Sequence, residues 1–336
     1  MPDPSTVPAL SSGAVVVPRA DRGVIRVAGA DRATWLQGLL TNDIEAVGLG
    51  RGTYAAWLTP QGRMITDAVV LAEDDAITLE VPAAIGEDLY RRLDAAVFAE
   101  DVLLTDECGV WIALGVHGAL AADVVSRAMT SAGDAGTRLD SAALTGWPEY
   151  ANAALAAAGR LYRRDVYGTP GYVLRVARAD AEVWTSRLRL AGATPALPAD
   201  LEFARIEAGQ PEFLVDMDEE TIPLEAGIEG RAISFTKGCY VGQEVIVRVV
   251  HRGGGRVARR LVGLRFEGDC VPSARAAIRH DTREIGYVTS AAPSPRLGRS
   301  VALGYVRREF VEPGSTVAVD CGGTVATAIV SALPIA

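Results

Sequence analysis

Short apolar-rich runs at residues 24–27, 54–58, 64–71 and 76–81 have the length and partial alternation of half-buried strands. The second and third flank Thr59-Pro60-Gln61-Gly62, and Pro followed two residues later by Gly is turn chemistry, so they predict a hairpin. After the first run, Asp31 stands as an N-cap candidate before a short helix with Trp35, Leu36, Leu39 and Leu40 on one face. Pro82 opens a second helix, in which Ile85, Leu89 and Leu93 recur at helical spacing. The pattern continues with strands near 102–105 and 110–116, a helix near 119–129, strands at 161–167 and 172–176, and helices near 181–190 and 200–207. Residues 1–12, rich in Pro and Ser, read as a loose lead-in. Residues 131–158, small and weakly patterned, read as a variable connection.

Beyond Arg260 the texture changes. Runs at 261–266, 284–290, 300–306 and 316–330 are β-type, separated by Gly and Pro, with weak helical periodicity. That is the signature of a small sandwich or barrel. The flexible triplet Gly253-Gly254-Gly255 marks the boundary, so the chain of 336 residues divides into an α+β region at 12–252 and a β-domain at 257–336.

Charge and cysteine usage narrow the function classes. A formal net charge of -9 argues against a general nucleic-acid binder, which needs a net basic domain. A local run of Arg248, Arg252, Arg256, Arg259 and Arg260 still offers a site for an anionic metabolite, an acidic partner or RNA phosphates. Cys108, Cys239, Cys270 and Cys321 form no C-x-x-C pair, and their long, irregular gaps predict neither a disulfide framework nor a zinc site. His117, His251 and His280 are too scattered for a metal motif. No run approaches the ~18 apolar residues of a membrane span, and the first ten residues carry no Lys or Arg. These features predict a soluble protein in a reducing cytoplasm.

The most informative segment is Lys237-Gly238-Cys239-Tyr240-Val241-Gly242-Gln243-Glu244. It sets a thiol two residues from an ammonium, and a nearby cation favours the thiolate. The bland alternative for Cys239 is a small buried hydrophobe. The pattern K-G-C-Y-x-G-Q-E resembles the signature of YgfZ-type proteins, a branch of the glycine-cleavage T-protein superfamily related to the mitochondrial iron–sulfur assembly factor. Trp35-Leu36-Gln37-Gly38-Leu39-Leu40-Thr41-Asn42-Asp43 and the segment from Leu58 through Asp67 are similar to the superfamily's first helix and hairpin. Arg205-Ile206-Glu207-Ala208-Gly209 and Pro223-Leu224-Glu225-Ala226-Gly227 resemble its R-x-E-A-G and P-x-E-x-G elements. Ile285-Gly286-Tyr287-Val288-Thr289-Ser290 and Ala302-Leu303-Gly304-Tyr305-Val306 look like its terminal barrel.

The resemblance implies two intertwined subdomains and a C-terminal β-barrel around a central channel, with a reduced folate such as tetrahydrofolate inside and Cys239 near the mouth. It assigns Glu207 to pterin recognition, where one carboxylate accepts from two adjacent N–H groups. The competing reading of Glu207 is a helix-end ion pair with Arg205 or an exposed charge. The resemblance places Asp67 at the reacting folate nitrogens, as a proton acceptor or a stabiliser of a cationic centre. Its competing role is a strand-end residue that faces solvent or caps the hairpin. Cys239 and Lys237 complete the catalytic candidates, and Arg248 and Arg252 are candidates for the folate tail.

Two functions remain in play. The first is a tetrahydrofolate-binding accessory factor for iron–sulfur assembly or repair, whose clients include tRNA-modifying enzymes; it is expected to lack glycine-cleavage activity. The second is a folate-dependent aminomethyltransferase. The K-G-C-Y-x-G-Q-E segment favours the first and Asp67 the second. Direct tRNA binding rests on the arginine run alone.

Overall fold

The computed structural model describes residues 3, 5–131, 139–155, 159–252 and 254–335. The chain starts with helix α1 (Thr6–Ser12), then β1 (Val15–Arg19) and β2 (Arg22–Ala28). Next come α2 (Arg32–Leu39), the hairpin β3 (Gly52–Leu58) and β4 (Met64–Ala72), β5 (Ala76–Pro82), α3 (Gly86–Asp94) and β6 (Leu103–Asp106). Strands β2 to β6 form an antiparallel sheet in the order β3-β4-β5-β2-β6. The predicted hairpin turn is present, and Gly62 takes φ 76°, a conformation that favours glycine.

β1 does not join β2. It pairs instead with β7 (Trp111–His117) in a second sheet that also holds β8 (Asn152–Ala154), β9 (Arg160–Arg163), β10 (Gly171–Ala177) and β11 (Thr194–Pro195). The order there is β11-β1-β7-β10-β9-β8. This exchange of the first strand is what intertwines the two subdomains. Helices α4 (Ala121–Ser131), α5 (Ser141–Thr145) and α6 (Ala181–Leu190) cover its outer face through Val16, Leu114, Val116, Leu161, Leu174 and Leu188. On the first sheet, Ile25, Val27, Ala55, Val70 and Leu79 face α2 and α3. The inner faces of both sheets share a core of Tyr54, Ala56, Val69, Ala113, Tyr162 and Val173.

After α7 (Pro198–Glu207), α8 (Pro223–Ala226), α9 (Glu229–Ala232) and α10 (Gln243–Val247), the chain closes a six-stranded barrel. Its strands are β12 (Arg259–Phe266), β13 (Ala277–His280), β14 (Arg283–Ser294), β15 (Arg299–Arg307), β16 (Thr316–Cys321) and β17 (Thr324–Ser331). Closure leaves no open sheet edge. Leu264, Phe266, Ile278, Val288, Val306 and Val319 fill the interior.

Several elements differ from the sequence reading. The lead-in is helical from Thr6, because Leu10 docks beside Val15 and Val17. The apolar run after it is β1. Residues 164–167 leave the strand, and the long run at 316–330 is a hairpin turning at Gly322 and Gly323, both at positive φ. The connection at 131–158 contains α5 and β8, while residues 132–138 and 156–158 lie outside the described residues. Cys270 and Cys321 form a disulfide, with Cα atoms 6.4 Å apart across 51 residues of sequence. The expectation of no disulfide failed because barrel closure, not sequence spacing, brings the two together. No helix among the described residues is long and apolar enough to cross a membrane.

A buried ion pair docks the barrel. Arg205 Nη1 donates to Asp216 Oδ2 at 2.6 Å, with both side chains almost wholly enclosed. Thr289 and Ser290 of β14 donate to the other oxygen of Asp216 at 2.5 and 2.6 Å. Asp216→Ala would remove the buried counter-charge at Arg205 Nη1 and the acceptor of Ser290, while Glu202 and the Gln210 carbonyl still hold Arg205, so we expect a loss of about 2–3 kcal/mol in urea denaturation. A loss below about 1 kcal/mol, the scale of a surface pair, would show that the clamp is not what holds the barrel.

His117 ends β7 beside two glycines. A Cβ at Gly115 would lie 2.6 Å from its Nε2, and one at Gly171 would lie 2.3 Å from its Nδ1, so these glycines make room for the ring. Burial, then the charges of Arg19 and Arg164, push its pKa down from 6.5 to about 3. The unfolded chain therefore binds more protons than the native state between those values, and stability falls as pH drops through that window. The slope is at most about 1.4 kcal/mol per pH unit from this group. His117→Phe keeps a ring without titrating. Its stability relative to wild type should rise as the pH of thermal melts is lowered from 6.5, and a constant difference would remove His117 from acid unfolding.

Candidate functional site

The sequence builds the site by putting polar side chains on the inward face of an otherwise apolar sheet. In the register of β3 and β4, Ala56 pairs with Asp67 and Tyr54 with Val69. Period-2 alternation then places Tyr54, Asp67 and Val69 on one face. Val69 pairs with Glu80 of β5, and Glu80 with Val24 of β2, which carries Arg22 onto the same face. That face looks toward the second sheet.

Asp67 is buried. Tyr54 Oη donates to its Oδ2 at 2.8 Å, while Oδ1 has no hydrogen-bond partner and lies 3.6 Å from Arg22 Nη1. Burial, and then the adjacent Asp67 charge, push the Tyr54 pKa well above its ordinary value, so this hydroxyl stays a donor. The Arg231 guanidinium lies 4.6 Å from the centre of the Tyr54 ring and donates to Gln210. Asn42 holds the Arg231 carbonyl through its amide at 2.9 Å and also donates to Thr53 and to the Tyr54 carbonyl. Tyr150, held at φ 62°, and Arg164 close the cavity. Its clear space is about 20 Å³, the scale of one water. A flat bicyclic ligand enters only if Arg231 or Tyr150 moves.

The other predicted residues lie elsewhere. Glu207 is not among the residues that line this cavity. Its carboxylate accepts from Ser294 and from Arg296 Nε at 2.7 Å, both on the barrel side, and its carbonyl accepts from Ile335 N. The R-x-E-A-G element therefore serves barrel docking through both charged residues, because α7 runs along β14. Glu225 of the P-x-E-x-G element likewise accepts from Arg259 Nε at 3.0 Å.

Lys237 is part-buried under α2. Its Nζ donates to the carbonyls of Gln37, Leu40 and Asn42 at 2.6, 2.7 and 2.8 Å. It thereby satisfies carbonyls at and just beyond the helix C-terminus. Burial lowers its pKa to about 8, with Asp43 and Glu45 opposing. Gly242, at φ 85°, packs where a Cβ would sit 2.5 Å from the Thr59 carbonyl. The K-G-C-Y-x-G-Q-E segment thus clasps α2 and the β3–β4 turn. Cys239 is free and exposed, so the buried-hydrophobe alternative does not hold for it. Neither Cys239 nor Lys237 lines the Asp67 cavity. Arg248 is exposed and is not among the cavity's lining residues; the backbone of Arg252 lies in the same helical turn after α10. Among the described residues no cluster of metal-ligating side chains occurs.

Sequence reasoning did not single out Tyr54, Arg22, Glu80, Arg164 or Arg231. A signal was available for the strand residues: charged positions in phase with inward-facing apolar ones.

Two mixed α/β subdomains enclosing a polar cavity, followed by a closed barrel, define the class. The structure of the glycine cleavage system aminomethyltransferase T from Bartonella henselae superposes with a TM-score of 0.84, covering 98% of this chain and 87% of that one at 19% identity. The GCVT N-terminal domain model matches residues 9–237, and the glycine cleavage T-protein C-terminal barrel domain model matches 259–335. The chain belongs to the glycine-cleavage T-protein family. The aminomethyltransferase of Streptomyces avermitilis is 31% identical over 322 residues, covering 93% of this chain and 83% of that protein. That of Corynebacterium jeikeium is 31% identical over 323 residues, covering 90% and 82%. Tetrahydrofolate, the cofactor expected from the sequence, is the cofactor of this family. Relatives that match along nine-tenths of the chain are aminomethyltransferases, and this overturns the expectation of an iron–sulfur accessory factor. They likewise lend no support to iron–sulfur partners or to tRNA.

Thiol reactivity separates the cysteines. Burial, then Asp106, push the Cys108 pKa up to about 12. Brief iodoacetamide labelling of the native protein should modify Cys239 first and Cys108 slowly. Cys270 and Cys321 should label only after reduction. Equal labelling of all four before reduction would contradict both the exposure order and the disulfide.

Proposed function

We propose that this protein is a folate-dependent aminomethyltransferase of the glycine-cleavage T-protein type, with Asp67 as the catalytic carboxylate. The observation that carries this reading is the unpartnered Oδ1 of Asp67, buried in the cavity between the sheets. An acceptor left open in such a place costs stability, and such groups mark sites of function. The named relatives support the reading.

The residues fit a reduced pterin in kind. Asp67 Oδ1 is an open acceptor for an N–H or cationic nitrogen, Tyr54 and Tyr150 offer aromatic walls, and Gln210 and Arg231 add polar contacts. When bound, tetrahydrofolate supplies the nitrogens that take up a one-carbon unit. Tyr54 fixes the carboxylate by donating to Oδ2, which turns Oδ1 toward the cavity. Asp67 there accepts a proton or steadies positive charge, in a site whose low polarity strengthens both effects. We assign folate binding to residues 12–252, which contain every residue lining the cavity, and a closing role to the barrel at 257–336. The Lys237–Glu244 segment supports a place beside the YgfZ-type sequences within the family. In this reading the segment is a structural clasp.

The test is transfer of the methylene carbon of an aminomethyl-loaded dihydrolipoyl carrier protein to tetrahydrofolate, with the nitrogen released as ammonia and the carrier left as the dithiol. The wild type should produce methylenetetrahydrofolate. Asp67→Asn should lower kcat by about 10²-fold or more, the usual scale for a lost acid–base group. Cys239→Ala should stay near wild type. A wild-type protein that neither transfers nor binds tetrahydrofolate would end this reading.

A further inference from the structure

Asp67 does not stand alone with Arg22. One guanidinium is shared between two carboxylates, and their competition decides whether Asp67 is usable. Arg22 Nε lies 3.3 Å from Glu80 Oε1, and Arg22 Nη2 donates to the Glu80 carbonyl at 2.9 Å. The remaining nitrogen, Nη1, stops 3.6 Å from Asp67 Oδ1, beyond hydrogen-bond range. Glu80 is itself anchored from the opposite sheet. Arg164 Nη1 donates to its Oε1 at 2.9 Å, and Tyr162 Oη donates to its Oε2. Its carboxylate is about 5% exposed, as is that of Asp67 at 4%.

We propose that Glu80 is a positioning residue for Asp67: by holding Arg22 back, it keeps Oδ1 open to a nitrogen-bearing ligand. This rests on the reading of Asp67 as the catalytic carboxylate and adds the device that maintains it. The physical reason is the attraction between opposite charges in a cavity with little water. A guanidinium 3.6 Å from an unpartnered carboxylate oxygen closes onto it unless something else holds it. A charge-assisted contact of about 2.7–2.9 Å would form, and the acceptor would be consumed. Glu80 takes Nε, its own backbone takes Nη2, and its anchors on β9 and in the segment after β9 stop it from following Arg22 toward Asp67.

Glu80→Gln tests this, since it keeps the shape and removes the charge. Thermal melts first establish that each variant is folded. With Arg22 released, tetrahydrofolate should bind at least about tenfold more weakly by calorimetry, the effect of losing a charged hydrogen-bond partner. Adding Arg22→Gln in the Glu80→Gln background should recover most of that loss, because the competing cation is gone. A purely structural role for Glu80 predicts the opposite: the second substitution deepens the defect, and that result overturns the proposal. A crystal structure of Glu80→Gln gives a reading that needs no ligand. Contraction of the Arg22–Asp67 separation to hydrogen-bond distance supports the proposal, and an unchanged 3.6 Å refutes it. If the wild type binds no tetrahydrofolate, the function proposed above fails while this structural comparison still decides the role of Glu80.

Discussion

Charged side chains that water cannot reach hold the two sheets at their working distance. Two acidic residues, Glu80 on β5 and Glu73 in the turn before it, each bind side chains from the facing subdomain. Glu73 binds Arg175 at 2.5 Å and Arg160 at 3.2 Å. Glu80 binds Arg164 just beyond β9, accepts from Tyr162 on β9, and also holds Arg22 of its own sheet. Such pairs add little net stability compared with apolar packing, but once buried they punish any geometry that separates them. They therefore specify the alignment of the sheets more than they stabilise it. In the cavity between sheets so aligned, Asp67 Oδ1 is left without a hydrogen-bond partner.

The barrel is attached by the same means. Arg205 and Asp216 are enclosed together, and Thr289 and Ser290 complete the shell of Asp216. Glu207 receives Ser294 and Arg296, and Glu225 receives Arg259. Around these polar contacts, Val15, Val17, Phe203 and Ile206 pack against Leu261, Leu303 and Tyr305. Motifs that resemble ligand-binding elements thus do mechanical service here. A charged residue in a family motif can bind a ligand or hold a domain, and only its partners distinguish the two.

The clasp built by Lys237 has the same character. Three carbonyls from one helix end and the loop beyond it converge on a single ammonium. That fixes α2 against the hairpin whose second strand carries Asp67. The Lys237 ammonium, two residues from Cys239, spends its hydrogen bonds on backbone oxygens.

Much of this molecule was written in local patterns. The β3–β4 hairpin, α2, α3 and the β-rich end followed from apolar spacing and turn residues, because those features act over a few residues. Family motifs located Asp67 as a candidate and implied the barrel and the folate. The first strand's exchange into the other sheet was not legible, since nothing within 15–19 names its partner. Nor was the Cys270–Cys321 bond, which depends on closure across 51 residues. Asp31 illustrates the limit on a small scale: it occupies the predicted N-cap of α2, yet its carboxylate accepts from Asp101 N, seventy residues away. Asp67 and Glu207 show the same limit at the site. Both are acidic residues in family motifs, and sequence alone does not rank them. One faces the space between two sheets with an oxygen free, while the other meets Ser294 and Arg296 of the barrel. That difference lies in which distant side chains arrive at hydrogen-bond distance, and only the folded chain determines it.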